Sequence, residues 1–243
     1  MLRYRLFHKL LFGTLLIMLL LAGNTMAEES WSLYKTRSGI SMQKRYVTVA
    51  GQKKLQIKVE LEYQGKIAAF LHLLNDTNNA VLWLHNVAQV KLLAKASAHE
   101  DLVYTRFSAP WPLADRELVS CSDWAQDASF TLTMTVSDCG DLHPADPGKV
   151  RLRSFSALWQ LFLRPDGKVQ LIYTGTADAG GSVPRFLSDP MALSSSWKSF
   201  NGLKREIEKP VYQNNHAGIC EMSHSPKSKD DNFSHHRPCA HLD

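Results

Sequence analysis

This 243-residue chain most plainly lacks the usual catalytic signatures. It contains no GxSxG, HExxH, GxxxxGK or GxGxxG, which excludes the nucleophile elbow, the zinc-protease helix and the glycine loops that cradle phosphates. It has no Lys/Arg-rich patch with interleaved aromatics, so no nucleic-acid partner is expected. Of the formal net charge of +5, Arg3, Arg5 and Lys9 supply three, which leaves two over residues 28–243. That is too weak a field to gather a polyanion. Cysteines number only four: Cys121 and Cys139 in the body, Cys220 and Cys239 in the tail. Four cysteines admit three pairings, and spacing does not choose among them. A tail loop closed by Cys220 and Cys239 fits, and Cys121 also suits a small buried hydrophobe. No internal repeat is visible.

The chain has one long apolar run. Leu10 to Ala22 spans 13 residues, behind the positive Arg3, Arg5 and Lys9 and ahead of the small-residue motif Thr25-Met26-Ala27. That pattern marks residues 1–27 as a secretory signal peptide, too short to cross a bilayer comfortably. A retained anchor is the alternative. The stretch LLAGN looks like a lipoprotein box, but Asn24 stands where the acylated cysteine belongs. Export to the periplasm or beyond follows, and it makes the cysteines candidates for disulfides.

Residues 31–36, 40–49 and 53–63 read as strands. In the third, Leu55, Ile57, Val59, Leu61 and Tyr63 alternate with charged and polar residues, as one buried face requires. Ile67, Phe70, Leu71 and Leu74 predict a short helix over 66–75, with a further turn at 79–86 around Trp83. Strands follow at 87–95, 101–108, 116–124, 129–137, 150–163 and 168–178. Leu193, Trp197, Phe200, Leu203 and Ile207 then recur at steps of three and four, a helix with one apolar face. Lys204, Arg205 and Lys209 suit the dipole at its end. A run of antiparallel strands needs a cover for its apolar face, and this helix is the natural one. Residues 211–243, rich in His, Ser, Asn and Lys, read as a weakly ordered tail.

Few residues offer chemistry. DAGGSVP (178–184) reads as a flexible turn. Asp115, Arg116 and Glu117 read as a structural charge cluster at a strand start. In the tail, His216, Cys220, His224, His235, His236, Cys239 and His241 suit a transition metal by type, but their spacing matches no closed module, so no metal site is assigned.

Three segments carry a resemblance. APWPLADRELV (109–119), LNDTNNAVLWLHNV (74–87) and VRLRSFSALWQLFLRPDGKVQLIYTGTADAGGSVP (150–184) are similar, in this order, to the START (steroidogenic acute regulatory protein-related lipid transfer) domain family, of the bacterial secreted type. The resemblance implies an α+β helix-grip fold (START/Bet v 1-like) over residues 28–210. A curved antiparallel sheet would wrap the long C-terminal helix and enclose an apolar tunnel. It further implies binding and transfer of a lipid or sterol-like molecule without covalent chemistry. No cofactor, transient membrane contact and a monomeric state go with that reading. Trp111 is expected to pack over the sheet at a proline-stiffened bend. Some family members carry an acid–arginine pair in the tunnel; Val103 and Ser122 stand at those places here.

Tunnel contacts can be proposed by facing. If Arg151 and Arg153 meet water, Leu152, Ser154 and Ser156 point inward, with Trp159 and Leu161 beyond and Tyr173 on the next strand. On the helix, Leu187, Met191, Leu193, Trp197 and Phe200 are the candidates. Each buried methylene stabilises a complex by ~0.8 kcal/mol, so a chain of about ten supplies ~8 kcal/mol before ordering costs. Pro190 lacks the amide a helix interior needs, so 184–189 should form a separate turn, with Asp189 capping a helix that begins at Pro190. Two competing functions remain: a helix-grip enzyme of the cyclase or hydrolase kind acting on a hydrophobic substrate, and metal or partner binding through the tail.

Overall fold

Strict alternation over residues 53–63 forces one side of that strand into the interior, and the rest of the fold is arranged around it. In the computed structural model, which describes residues 29–178, 183–216 and 218–221, strand β3 (Gln52–Gln64) buries Leu55, Ile57, Val59, Leu61 and Tyr63. It lies between β2 (Ile40–Val49) and β10 (Lys168–Asp178), both antiparallel to it. The expected leader and most of the tail, including Cys239, lie outside the described residues.

The remaining strands are β1 (Ser32–Arg37), β4 (Val87–Lys95), β5 (Glu100–Phe107), β6 (Arg116–Gln126), β7 (Leu132–Asp138), β8 (Val150–Arg151) and β9 (Arg153–Leu163). All ten form one sheet in the order β1-β2-β3-β10-β9-β7-β6-β5-β4, with the short β8 lying parallel to β6. Two α-helices cover its concave face: α1 (Ala68–Asn75) and α2 (Arg185–Ile207). A 3₁₀ turn at Thr77–Leu82 follows α1. Leu193, Phe200, Leu203 and Ile207 of α2 join Phe70 and Leu73 of α1, and Leu132, Leu161 and Leu171 of the sheet, in one core. Each such side chain contributes roughly 1.5–3 kcal/mol by leaving water. This is the curved sheet closed by a C-terminal helix that the sequence pattern implies.

Gly202 sets how closely α2 approaches. A Cβ there would lie 2.5 Å from the Trp83 carbonyl oxygen and 2.7 Å from its Cα. Helix and 3₁₀ turn therefore touch backbone to side-chain-free backbone.

Two expectations are corrected. The helix does not begin at Pro190. It starts at Arg185, runs continuously to Ile207 and carries Pro190 inside, while Asp189 lies within the helix. The amides of Leu187 and Ser188 both donate to the Pro184 carbonyl, so the first turn is already closed. The bond that Pro190 forgoes would have reached Phe186, and both residues lie on the solvent side, where water takes the place of the missing donor.

The second correction concerns the tail. Residues 210–216 and 218–221 pack against the domain. Tyr212 is buried and donates to Asp76 Oδ2 at 2.9 Å. Gln213 accepts the Lys66 amide at 2.9 Å. Glu221 accepts the amides of Ile67 and Ala68 at 3.2 and 2.8 Å. Those amides open α1, which has no local side-chain cap, so a carboxylate from the far end of the chain supplies the charge its N-terminus favours. Cys220 exchanges two hydrogen bonds with the Gln126 amide group, at 3.0 and 2.7 Å.

The body cysteines pair: Cys121 of β6 is bridged to Cys139, with Cα atoms 5.6 Å apart. Cys220 is disulfide-bonded as well.

Candidate ligand-binding cavity

Between the concave sheet and α2 the side chains pack at Leu193, Phe200, Leu203 and Ile207 but do not fill the whole interior. A cavity of about 850 Å³ remains, large enough for a drug-sized or acyl-chain ligand. Its long wall comes from β5 and β6. Asp101, Val103, Thr105 and Phe107 face inward on one strand, and Arg116, Leu118, Ser120, Ser122 and Trp124 on the other. The register sets Asp101 opposite Ser122, Val103 opposite Ser120 and Thr105 opposite Leu118. Period two alone assigns these faces. Val103 and Ser122 thus both reach the void, with no acid–arginine pair between them. The Asp101 Oδ1 atom is buried without a hydrogen bond, and Lys95 Nζ stands 4.0 Å away.

β9 contributes Phe155 and Trp159, β10 contributes Tyr173 and Gly175, and Leu152 lies just before β9. Here the expected facing is corrected. Ser154 takes φ of 55°, and between the pairs Asp178–Arg153 and Thr176–Ser156 the ladder slips by one residue. This bulge inverts the alternation. Phe155, and neither Ser154 nor Ser156, turns inward; both serines are exposed, and the Ser154 amide donates to Asp138 at 2.8 Å. Leu161 is fully buried in the core and does not border the void.

Arg151 does not meet water. It is 7% exposed and ion-paired at 2.8 Å with Glu117, which is wholly buried on the convex side of β6. Glu117 also accepts from the Tyr104 hydroxyl at 3.3 Å and the Asp146 amide at 3.2 Å. Arg151 spends its other donors on the carbonyls of Gly140, His143 and Pro144. The neighbouring Asp115 pairs with Arg106 at 3.2 Å and accepts the Ala109 amide. Glu117 and Arg151 together therefore brace loop 139–149 under the sheet, while Arg116 faces the cavity.

On α2 the cavity face carries Arg185, Ser188, Asp189, Met191, Ala192, Ser195, Ser196, Ser199 and Phe200. Of the helix candidates, Met191 and Phe200 border the void. Leu193 turns into the core, Leu187 is half exposed, and Trp197 lies under Lys35, whose Nζ is 4.7 Å from the ring centre. Leu193 and Trp197 are one helical turn apart, so one rotation of the helix carries both away from the void.

Two of the polar fastenings of the helix lie beside the cavity. The Tyr46 hydroxyl donates to Asp189 at 3.0 Å, and the Arg185 guanidinium lies over the Tyr46 ring at 4.4 Å. Burial, and then the bond to Asp189, push the Tyr46 hydroxyl above its ordinary pKa. Further along, the His85 amide donates to Ser199 at 2.9 Å, and Lys198 approaches the His85 ring at 3.3 Å. Burial first, and the lysine second, hold His85 below its usual value.

Pro110 and Leu113 line the cavity, as do Arg185 and Ser188 at the start of α2. Trp111, expected to pack over the sheet, is 93% exposed instead. The Leu113 amide bonds the Pro110 carbonyl at 2.9 Å, and this tight turn throws Trp111 outward at its apex. Phe186, 75% exposed, and Leu187 stand on the neighbouring helix start. Trp83, Trp124, Phe155 and the β5–β6 wall were not among the sequence candidates, although alternation counted back from Arg116 would have found the wall.

Similarities to known proteins agree with this geometry. The chain is 25% identical over 189 residues to an uncharacterised protein of Pseudomonas aeruginosa, covering 77% of this chain and 91% of that one. It is 23% identical over 183 residues to human START domain-containing protein 10, covering 71% of this chain and 62% of the human protein's length. The crystal structure of a STAR-related lipid transfer protein fragment from Xanthomonas axonopodis superposes with a TM-score of 0.67 at 27% identity, over 74% of this chain and all of that fragment. The structure of human STARD10 superposes with a TM-score of 0.63 at 18% identity, over 76% of each chain. The START domain family model matches residues 16–210, and the chain belongs to the START domain family.

Proposed function

We propose that the protein binds a lipid or other hydrophobic small molecule in this cavity and carries or transfers it without covalent chemistry. The void of about 850 Å³, walled largely by apolar and aromatic side chains, carries the reading. The name of the Xanthomonas relative, a STAR-related lipid transfer protein, agrees with it. Two ionisable groups on the helix side of the wall are tied to protein: Asp189 by Tyr46 and Arg185, and His85 by Lys198. That arrangement favours a container over a reaction chamber. Residues 1–27 direct export and are removed, and the mature protein works as a monomer in the periplasm or outside the cell.

Native mass spectrometry of the mature protein, followed by solvent extraction, tests this. A reproducible apolar adduct of one molecule per chain is expected. A protein that is persistently empty, and that takes up no lipid from vesicles, overturns the reading.

Loading requires contact with a membrane, and Trp111, Phe186 and Leu187 are exposed apolar groups next in sequence to the cavity-lining Pro110, Arg185 and Ser188. An indole suits the headgroup layer. Trp111→Ala should weaken flotation with phosphatidylglycerol-containing vesicles severalfold. Stability should change by no more than about 0.5 kcal/mol, because the side chain touches little of the fold. Unchanged flotation would remove Trp111 from the docking surface.

A further inference from the structure

We infer that the Tyr173 hydroxyl is a specificity-determining donor, and that the bound molecule presents an oxygen acceptor to it from within an otherwise apolar body. This rests on the proposed binding function and names the ligand chemistry of the same cavity.

The other packed tyrosines each satisfy their hydroxyl with protein. Tyr46 donates to Asp189, Tyr63 to the Lys66 carbonyl, Tyr104 to Asp146 and Tyr212 to Asp76. Tyr173 has no hydrogen-bond partner among the described residues, and burial is the sole cause raising its pKa. Its side chain lines the void, and its oxygen is not walled in by protein, in contrast to the buried, unbonded Trp83 Nε1.

The ring is held in place. Trp159 stacks against it with centroids 4.5 Å apart, and Phe200 with centroids 5.0 Å apart. Two residues along the strand, Gly175 leaves the space the phenol occupies; a Cβ there would collide with the hydroxyl. A fixed phenol that faces the void and has no protein acceptor is a donor open to a bound molecule, and a ligand that displaces solvent there without accepting its proton leaves a costly unmade hydrogen bond. A neutral phenol gives its proton to an ester or ketone carbonyl, or to an alcohol oxygen. Unbroken hydrocarbon leaves it unpaired.

The test compares wild type and Tyr173→Phe, a change that keeps the ring and its stacking. Displacement of diphenylhexatriene is measured with methyl laurate, 1-tridecanol and tridecane, which carry a carbonyl, a hydroxyl and no oxygen on apolar bodies of similar length. The ratio of ester to hydrocarbon affinity, or of alcohol to hydrocarbon affinity, should fall five- to tenfold in the variant, with tridecane affinity within twofold. Which of the two ratios falls identifies the acceptor. The thermal midpoint of the empty variant should equal or exceed that of wild type, since no protein bond is lost. If both ratios are unchanged while all three compounds still bind, the donor role is overturned and the cavity reading stands. If none displaces the probe from wild type, the cavity reading fails and this inference falls with it.

Discussion

Glu117→Ala should cost about 3–5 kcal/mol of folding stability, a fall in Tm on the order of 10 °C for a domain of this size. The carboxylate is completely buried, and Arg151, its partner at 2.8 Å, is nearly so. Removing the acid strands a guanidinium beneath the sheet, along with the Asp146 amide that points at the vacated site, while the Tyr104 hydroxyl keeps its bond to Asp146. Desolvating one unpaired charge dominates that sum. The pair's net contribution is a separate quantity and a smaller one, because both ions left water to form it. The double variant Glu117→Leu/Arg151→Met should therefore be far less damaging than the sum of its parts. Urea melts of wild type, both single variants and the double variant measure this cycle. A single replacement costing less than about 1 kcal/mol would show that water reaches the pair and that loop 139–149 is only loosely held.

Gly202→Ala supplies the second large effect, and here even the sign is informative. Helix propensity favours alanine over glycine by roughly 1 kcal/mol in a helix interior. Packing opposes it: the new Cβ would sit 2.5 Å from the Trp83 carbonyl oxygen and 3.0 Å from its carbonyl carbon. Those are backbone atoms and cannot rotate aside as a side chain would. Overpacking of this kind costs about 1–3 kcal/mol, so the variant should be less stable than wild type. Its α2 should also stand off the turn at Trp83, with weaker retention of a cavity probe. A Gly202→Ala protein that melts higher than wild type would mean that propensity wins and the close approach is relaxed in solution.

Much of the architecture was legible because buried strands announce themselves by alternation. Residues 40–49, 87–95 and 168–178 form strands over the very spans the pattern marks. The helix was equally plain in the 3.6-residue recurrence from Leu193 to Ile207. The candidate site was harder to read. Alternation was carried unbroken from Arg151 to Ser156, but the bulge at Ser154 shifts the phase, so Ser154 and Ser156 exchanged places with Phe155. A bulge costs one residue and leaves no compositional mark. Pro190 misled for another reason. Its rule describes a buried helix interior, whereas the bond it forgoes lies on the wet side. Trp111 is exposed because a four-residue turn at Pro110–Leu113 decides its direction, and no periodicity operates over so short a span. Trp159, Tyr173, Met191 and Phe200 do border the void where a regular element ran without interruption, and Leu152 does so in the break between β8 and β9.

The carboxylate of Glu221 that closes the opening turn of α1 has a consequence for how the chain is made. The amides it serves lie 153 and 154 positions earlier, so a nascent polypeptide emerging at 5–20 residues per second delivers the cap on the order of ten seconds after the helix it completes. Through that interval the first helix has no partner for its leading amides, and only the finished polypeptide joins the two ends into a single cooperative unit.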